Sequence, residues 1–435
     1  MKKNLFFVAV AALALTACSS DNEVTQSAPQ LQSGPQTVAF DTYVPTTTRA
    51  GATGVMTTSV LQTTGFGVFA QYSNDGDYVK TTDPTANFMW NQEVTYSSAA
   101  WGYSPLKYWP NETVNDSQDL GGTGDGNATS AAADKLSFFA YAPYVSAGSA
   151  GGIVSMMAKD SKTVDPWVEY SVATTPTSSV DLLWGVAPSG GLSYTNVAGG
   201  TTSVVAGKPL LNLIKPKKDE KIKFLFQHAL ARLGLTVVAA FDQIAAGGEQ
   251  PATTKIAVKS VVITETTGTH QLKTSGKLNL NNTTAFQALW YDTTGDISFT
   301  VSGATLNPAI AWNTDAGITY TDASIPGVTT TEQKVIAPTV TPAHDNYFMV
   351  IPSHADTQLQ VVITYDVITA DANLKDGYSV VENVITKKVT IPTLTNNKAY
   401  NLKLVLGMTS VKLDAEVAEW KTDGGTETYL PQNVE

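Results

Sequence analysis

The feature that most limits the possible folds is the alternation of apolar and polar residues in many short runs. Residues 359–367 alternate along their whole length, and residues 400–408 place the apolar side chains of every second position on one face. A period of two is typical of β-strands, because successive side chains point to opposite faces of a sheet. No long segment has a helical period. The sequence therefore predicts an all-β fold.

The length of the chain and the position of one polar segment predict how these strands are divided. The chain has 435 residues, which is enough for two ordinary domains. Residues 213–222 are polar and contain proline, so we interpret them as a domain boundary. We predict an N-terminal β-sandwich over residues 50–215 and a C-terminal β-sandwich over residues 216–435.

One strand-like run just after this boundary changes its parity. Apolar residues occupy even positions from Ile222 to Leu230 and odd positions from Leu233 to Val237. A β-bulge or a short interruption near Ala231 and Arg232 would produce this change. A helix over residues 228–233 is the alternative interpretation.

Composition limits the classes of function. The formal net charge is -11 and only 15% of the residues are charged. An acidic surface repels phosphate backbones, so we expect no nucleic-acid partner. Abundant glycine and threonine with few charges are commoner in extracellular β-rich proteins than in helical cytosolic enzymes.

The N-terminus is a targeting segment that ends at the single cysteine of the chain. Lys2 and Lys3 precede an apolar run at residues 5–14, which is short for a membrane span. The following "LTACSS" resembles the lipobox of bacterial lipoproteins. That resemblance implies a signal peptide over residues 1–17, cleavage before Cys18 and acylation of its thiol. An ordinary secretory signal with an incidental cysteine is the alternative.

No constellation of residues predicts catalysis or a cofactor. The four histidines, His228, His270, His344 and His354, have no metal-ligand spacing with other ligating residues. Nucleophile elbows, phosphate loops and dinucleotide fingerprints are also missing from the sequence. Asp116, Asp119 and Asp125 could gather a calcium ion, although a solvated loop is the favoured interpretation. We therefore predict no enzyme, no metal and no cofactor, while paired carboxylates of a glycosidase stay open because distant residues can meet in a fold.

A short strand and an arginine follow the lipid-anchor region. Val38, Phe40 and Val44 share one face of an alternating run that Pro45 ends. The chain contains two arginines, and Arg49 lies in the small-residue segment "YVPTTTRAGATG". Loop segments of small polar residues are where proteases cut most easily. The other arginine, Arg232, lies in a strand-like run that folding should protect.

Several segments in order resemble the fimbrillin family, the lipoprotein-precursor pilins and related adhesin subunits of anaerobic Gram-negative bacteria. The most specific are "YWPN" followed by "FFAYAP", and "FQHALARL", while "FMWNQEVTY", "DLLWGVA" and "YFMVIPS" add to them. The resemblance covers most of the chain after Val38. It implies two tandem transthyretin-like β-sandwich domains that follow a lipoprotein signal peptide and a short propeptide.

The resemblance also implies a mechanism of assembly and a set of partners. The precursor would reach the outer membrane on its lipid anchor, and an Arg-specific protease would cut between Arg49 and Ala50. Residues 18–49, the lipidated tether with the removable first strand, would then leave a groove. A C-terminal strand of another pilus subunit would fill this groove; the candidates in this chain are residues 411–417 and the tail with Thr428, Tyr429 and Leu430, which we favour.

The predicted function is therefore that of a structural subunit of a cell-surface fimbria that mediates adhesion. A non-polymerising tip or accessory adhesin, or a glycan-binding surface lipoprotein of the same fold, is the alternative. The surface receptor is not predicted by any residue.

Overall fold

The computed structural model contains strands almost throughout the residues that it describes, which confirms the all-β prediction. All of these residues belong to one unit, Pro35–Glu435. The structure describes residues 36–43, 56–73, 76–80, 83–110, 134–146, 152–196, 200–216, 220–239, 254–266, 271–303, 334–335, 347–408, 411–419 and 430–431.

The strands are short in the N-terminal half and include the longest pairs in the C-terminal half. One short helix, α1 (Thr58–Thr64), and a 3-10 turn (Pro176–Ser178) interrupt them. The first twelve strands are β1 (Phe40–Tyr43), β2 (Phe66–Ser73), β3 (Met89–Ser97), β4 (Ala100–Gly102), β5 (Lys135–Ala142), β6 (Ile153–Met156), β7 (Trp167–Ser171), β8 (Leu183–Val186), β9 (Leu192–Thr195), β10 (Thr201–Val204), β11 (Leu210–Leu213) and β12 (Ile222–His228). The other twelve are β13 (Ala231–Ala239), β14 (Thr254–Glu265), β15 (Ser275–Asn279), β16 (Leu289–Thr294), β17 (Phe299–Ser302), β18 (Lys334–Val335), β19 (Tyr347–Val350), β20 (Thr357–Ala370), β21 (Tyr378–Ile391), β22 (Lys398–Leu406), β23 (Val411–Glu419) and β24 (Leu430–Pro431).

The N-terminal half is built around an eight-stranded sheet. Its order is β1-β12-β8-β5-β2-β3-β4, and β11 pairs with β5. All eight residues of β5 are buried, as expected for a central strand that is covered on both faces.

The remaining strands form one small ladder and three larger sheets. A five-stranded sheet has the order β19-β13-β22-β23-β24, and another has the order β17-β14-β20-β21, with β18 on β14. Strands from both halves of the chain meet in the four-stranded sheet β16-β15-β7-β6, where β7 pairs with β15. The ladder consists of β9 and β10.

The parity change after Ile222 is a change of sheet. Strand β12 pairs with β8 and β1, whereas β13 pairs with β19 and β22. Ala229 and Leu230 lie between the two strands and are fully buried. The parity therefore changes because one strand ends at His228 and another begins at Ala231. The interruption between them is neither a β-bulge nor a helix. Strand β12 follows the predicted boundary at 215/216 yet pairs within the N-terminal sheet, while the division into two tandem sandwiches stays a prediction.

Two groups of buried apolar side chains hold the sheets together. The smaller one contains Val38, Phe40, Phe66, Phe138 and Phe224, all from strands of the N-terminal sheet or the residues beside them. The larger one combines residues of both halves, such as Trp184 and Leu402. Within the described ranges, no helix has the length and apolarity needed to cross a membrane.

Candidate functional site

Strand β1 lies at the edge of the N-terminal sheet and pairs with β12. The two strands are parallel, with Phe40 opposite Ile222 and Tyr43 opposite Leu225. The Ile222 N–H donates to the Ala39 carbonyl at 2.7 Å. β1 and β12 are far apart in the sequence. The chain can therefore be cut after β1 and β1 can leave the sheet while β12 stays intact.

The opposite edge of the same segment is bonded to residues that follow β4. The Val38 N–H donates to the Lys107 carbonyl at 2.9 Å, and the Trp109 N–H donates to the Gln36 carbonyl at 2.9 Å. The segment is therefore bonded on one edge to residues 107–109, through residues 36–38, and on the other edge to β12, through residues 39–43. Removal of this segment would leave backbone donors and acceptors along both sides of one groove.

Two aromatic side chains extend this hydrogen bonding. The Tyr103 hydroxyl donates to the Val38 carbonyl at 2.6 Å and accepts from the Lys107 N–H at 3.3 Å. Burial raises the pKa of Tyr103 to about 12, so the hydroxyl keeps its proton at neutral pH and can donate. The Trp101 Nε1–H donates to Thr42 Oγ1 at 3.1 Å.

The side chain of Phe40 fills the groove. Phe40 and Val38 are each 1% exposed. The Phe40 ring lies 5.4 Å from Tyr103, 5.8 Å from Phe138 and 6.1 Å from Phe224, measured between ring centroids. Burial of a side chain of this kind contributes about 1.5–3 kcal/mol, and aromatic pairs add about 0.5–1.5 kcal/mol. The groove is thus an apolar pocket shaped around an aromatic ring.

Gly185 lies in β8 beneath this pocket and leaves room for Phe224. A Cβ atom on Gly185 would come within 2.8 Å of Phe224 Cδ1 and 2.9 Å of Ala140 Cβ. We expect Gly185→Ala to lower the free energy of unfolding by about 1–3 kcal/mol, because it overpacks the core. Chemical denaturation measures this change. Gly190→Ala is the matched control, since its added Cβ meets no atom within 4 Å; equal effects of the two variants would contradict the prediction.

Most of the predicted processing and donor residues lie outside the described residues. These are Cys18, Arg49, Ala50, Thr428 and Tyr429, together with Val44 of the removable strand. His270, His344, Asp116, Asp119 and Asp125 also lie outside the described residues. Val38 and Phe40 are brought together with the aromatic side chains of four other segments. The processing site and the proposed donor residues therefore stay predictions.

The backbone of Leu430 is described and lies at the edge of another sheet. Leu430 and Pro431 form β24, which pairs with Val417 and Glu416 of β23. In contrast, β23 pairs with β22 along its whole length. Val411, Leu413 and Ala415 of β23 are also buried. Release of β24 would therefore break the pairing of two residues of β23, whereas release of residues 411–417 would break the pairing with β22 and expose buried side chains.

Arg232 lies in the interior of a sheet. It is the second residue of β13, is 5% exposed, and its guanidinium carbon lies 4.1 Å from the centroid of the Tyr347 ring. A protease needs an extended, accessible segment around its target residue. The folded chain therefore protects Arg232, as the sequence predicted.

A buried polar pair binds the backbone of Met56, which follows the predicted cleavage site in the sequence. Sequence reasoning did not identify this pair. The fully buried Asp181 carboxylate lies 2.6 Å from His228 Nδ1 through Oδ2, and the same oxygen accepts from the Met56 N–H at 3.1 Å. His228 is the last residue of β12. His228 is therefore a buried histidine bonded to a carboxylate. An aspartate within the apolar run "SVDLLWG" was the only signal for its partner.

The two described histidines, His228 and His354, do not belong to a metal-binding group of described residues. His354 Nε2 lies 3.1 Å from the Ala288 carbonyl, and burial lowers its pKa. Among the described residues, no group of three or more histidine, cysteine, aspartate or glutamate side chains could hold a metal ion.

The fold and the groove define a class, that of all-β proteins in which a short N-terminal strand lies at the edge of the sheet and fills a groove there. In fold, the chain is similar to a fimbrial protein from Bacteroides vulgatus, with a TM-score of 0.52 and 19% identity over 89% of this chain and 100% of that one.

In sequence, the chain is similar to the fimbrium subunit Fim1C of Phocaeicola vulgatus. The two are 36% identical over 146 residues, which is 33% of this chain and 31% of the relative. The match thus spans about a third of the relative's length. No protein-family model matches the chain. The resemblance to fimbrial proteins inferred from the sequence segments is confirmed in fold and in part of the sequence.

Proposed function

We propose that this protein is a structural subunit of a cell-surface fimbria that assembles by protease-triggered donor-strand exchange and mediates adhesion. The observation that carries the proposal is the geometry of β1. Phe40 of β1 and the preceding Val38 are almost completely buried, yet β1 is a short edge strand. It is joined to the next described residue, Met56, through the segment that contains Arg49. The sequence match to a fimbrium subunit supports the same function.

The exchange follows from the physics of sheet edges. Cleavage after Arg49 disconnects β1 from the rest of the chain, so β1 is then held by non-covalent contacts alone. Its departure exposes the pocket around Phe224 together with backbone groups on both sides, which is unfavourable in water. A strand from another subunit restores the ladder and refills the pocket. Two such subunits would thereby be joined without a covalent bond.

The precursor is proposed to be an outer-membrane lipoprotein before it enters the fimbria. The lipobox-like sequence before Cys18 supports this step, because two or more acyl chains anchor a protein stably to a membrane. Its partners would be other pilus subunits, an Arg-specific protease and the outer membrane, with the surface receptor left open.

The lipid anchor makes a direct prediction for Cys18. We expect Cys18→Ala to abolish incorporation of radiolabelled palmitate and to move the precursor from the membrane fraction to the soluble fraction. Ser19→Ala is the control, because it changes the neighbouring residue and keeps the thiol. Labelling of the Cys18→Ala protein would contradict the lipoprotein step.

Treatment of the purified precursor with an Arg-specific protease tests the proposed assembly. The expected product begins at Ala50 and forms a ladder of high-mass species on a denaturing gel loaded without boiling. A donor strand held by a buried apolar pocket dissociates slowly, so the ladder should survive in detergent and disappear on boiling. Correct cleavage without any ladder would contradict homopolymerisation.

A second candidate function is that of a tip or accessory adhesin, or of a glycan-binding surface lipoprotein, which accepts a strand but does not polymerise. The polar tail favours this candidate, since Tyr429 and Leu430 are the large apolar residues of residues 421–430. Cleavage without ladders, followed by binding of the cleaved protein to a stalk subunit, would support it.

A further inference from the structure

Strand β21 is a long edge strand whose outer side is unpaired within the part of the chain that the structure describes. It has 14 residues, all of which pair with β20, and it ends the sheet order β17-β14-β20-β21. The strands that flank residues 304–333, β17 and β18, both pair with β14 at the other side of this sheet. An edge of this length is an effective template for pairing with another strand.

One face of β21 carries an apolar stripe that continues beyond the core. Odd-numbered residues share this face, because side chains alternate along a strand. Ile391 and Val389 are 1% and 3% exposed, Ile385 packs against the core, and Val381 is 58% exposed. Asn383 and Lys387 share this face and separate the apolar residues. The stripe is therefore covered at its C-terminal end and open at its N-terminal end.

We propose that two copies of this chain pair through β21, antiparallel and around a two-fold axis at Ile385, to form one continuous sheet. In this register Ile385 faces its own copy, and Val381 of each chain lies opposite Val389 of the other. The open end of each apolar stripe thus meets the covered end of the other stripe. The same register places Glu382 opposite Lys388 twice, on the other face. Within its own chain Glu382 lies 2.6 Å from Lys259, which also lies 3.1 Å from Asp366. This cluster has two carboxylates and one cation, so it still attracts Lys388 of the other copy.

Charge complementarity selects this register. A two-fold axis normal to the sheet keeps each face continuous, so opposed residues must have the same parity. An axis at residue 386 places Lys387 against Ile385, and an axis at residue 384 places Lys387 against Val381. An axis at residue 382, 387 or 388 places a charged residue against its own copy. Only the axis at Ile385 places Glu382 of one copy opposite Lys388 of the other and also brings the apolar stripes of the two copies together.

Introduced cysteines test the register in the full chain, with Cys18→Ser in every variant so that no other thiol is present. Under mild oxidation we expect Ile385→Cys to form a disulfide-linked dimer, because opposed residues of antiparallel strands lie within disulfide range. Ser379→Cys is the matched control, since Ser379 faces Ile391 of the other copy in this register. Equal crosslinking of both variants would overturn the register.

Sedimentation equilibrium of the protein without introduced cysteines tests the dimer independently. We expect a reversible dimer whose dissociation constant rises about tenfold in Lys388→Glu, because two attractive pairs become repulsive. Lys387→Glu changes the net charge equally but faces Asn383, so its effect should be small. A monomer at every concentration, or equal effects of the two variants, would overturn the proposal. Since β21 and β1 lie in different sheets, the result does not depend on cleavage at Arg49.

Discussion

Replacing Phe40 with alanine lowers the free energy of unfolding of the uncleaved precursor by about 3–5 kcal/mol, the range measured for buried Phe→Ala changes. Phe40 is 1% exposed and is surrounded by the rings of Phe66, Tyr103, Phe138 and Phe224. Truncation removes these contacts and leaves a cavity that rigid neighbouring rings cannot fill. Urea denaturation of purified precursor measures the effect.

Two controls make the Phe40 result specific to the removable strand. Asp41→Ala changes the adjacent residue, whose side chain is 41% exposed and lies 3.9 Å from Lys221. We therefore expect this variant to lower the free energy of unfolding by less than about 0.5 kcal/mol. After cleavage at Arg49 and release of the N-terminal fragment, the Phe40→Ala and unmodified proteins should be identical in stability, because the released fragment contains residue 40. A loss below about 1 kcal/mol in the precursor would show that β1 contributes little to the core.

Replacing Arg49 with lysine should abolish processing by an Arg-specific protease and, with it, the formation of fimbriae. Lysine keeps the charge of the side chain and a similar length, so the folded precursor and the proposed lipid anchor should be unaffected. The enzyme selects the planar guanidinium, which makes paired hydrogen bonds that an ammonium group cannot make. N-terminal sequencing and electron microscopy of cell-surface filaments measure the two consequences.

The matched control is the other arginine of the chain. Arg232→Lys should leave cleavage unchanged, because Arg232 is buried in β13 and the protease does not reach it in the folded protein. Normal filaments from Arg49→Lys, or fragments that begin after Arg232 in the folded precursor, would contradict the proposed processing site. Denatured precursor should be cut at both arginines, which confirms that the enzyme is active.

The strands with clear alternation were predictable because their pattern reflects contact with one core face. Residues 359–367 lie in β20, residues 400–406 form most of β22, and the run at residues 38–44 contains β1. The same alternation placed Val38 and Phe40 on one face, which the structure buries. These properties depend on side chains a few positions apart, so the local sequence contains the information.

The surroundings of β1 were not predictable in this way. Its parallel pairing with β12 joins Phe40 to Ile222, and its other edge bonds to residues 107–109. No local pattern states which distant strand will be the neighbour, because the choice depends on the packing of the whole sheet. The same holds for the contact between Asp181, His228 and Met56, which unites three distant segments.

By itself, the sequence determined the strand-forming segments, the buried face of the first strand, the resemblance of the N-terminus to a lipobox and the presence of only two arginines. The tertiary structure decided that Arg232 is buried and that the chain changes sheets at Ala229 and Leu230. It also decided that the segment with β1 fills a groove and is bonded to the groove on both edges. The physical reason is that alternation and composition are properties of neighbouring residues. A groove, in contrast, exists only when strands from distant parts of the chain pack together and exclude water.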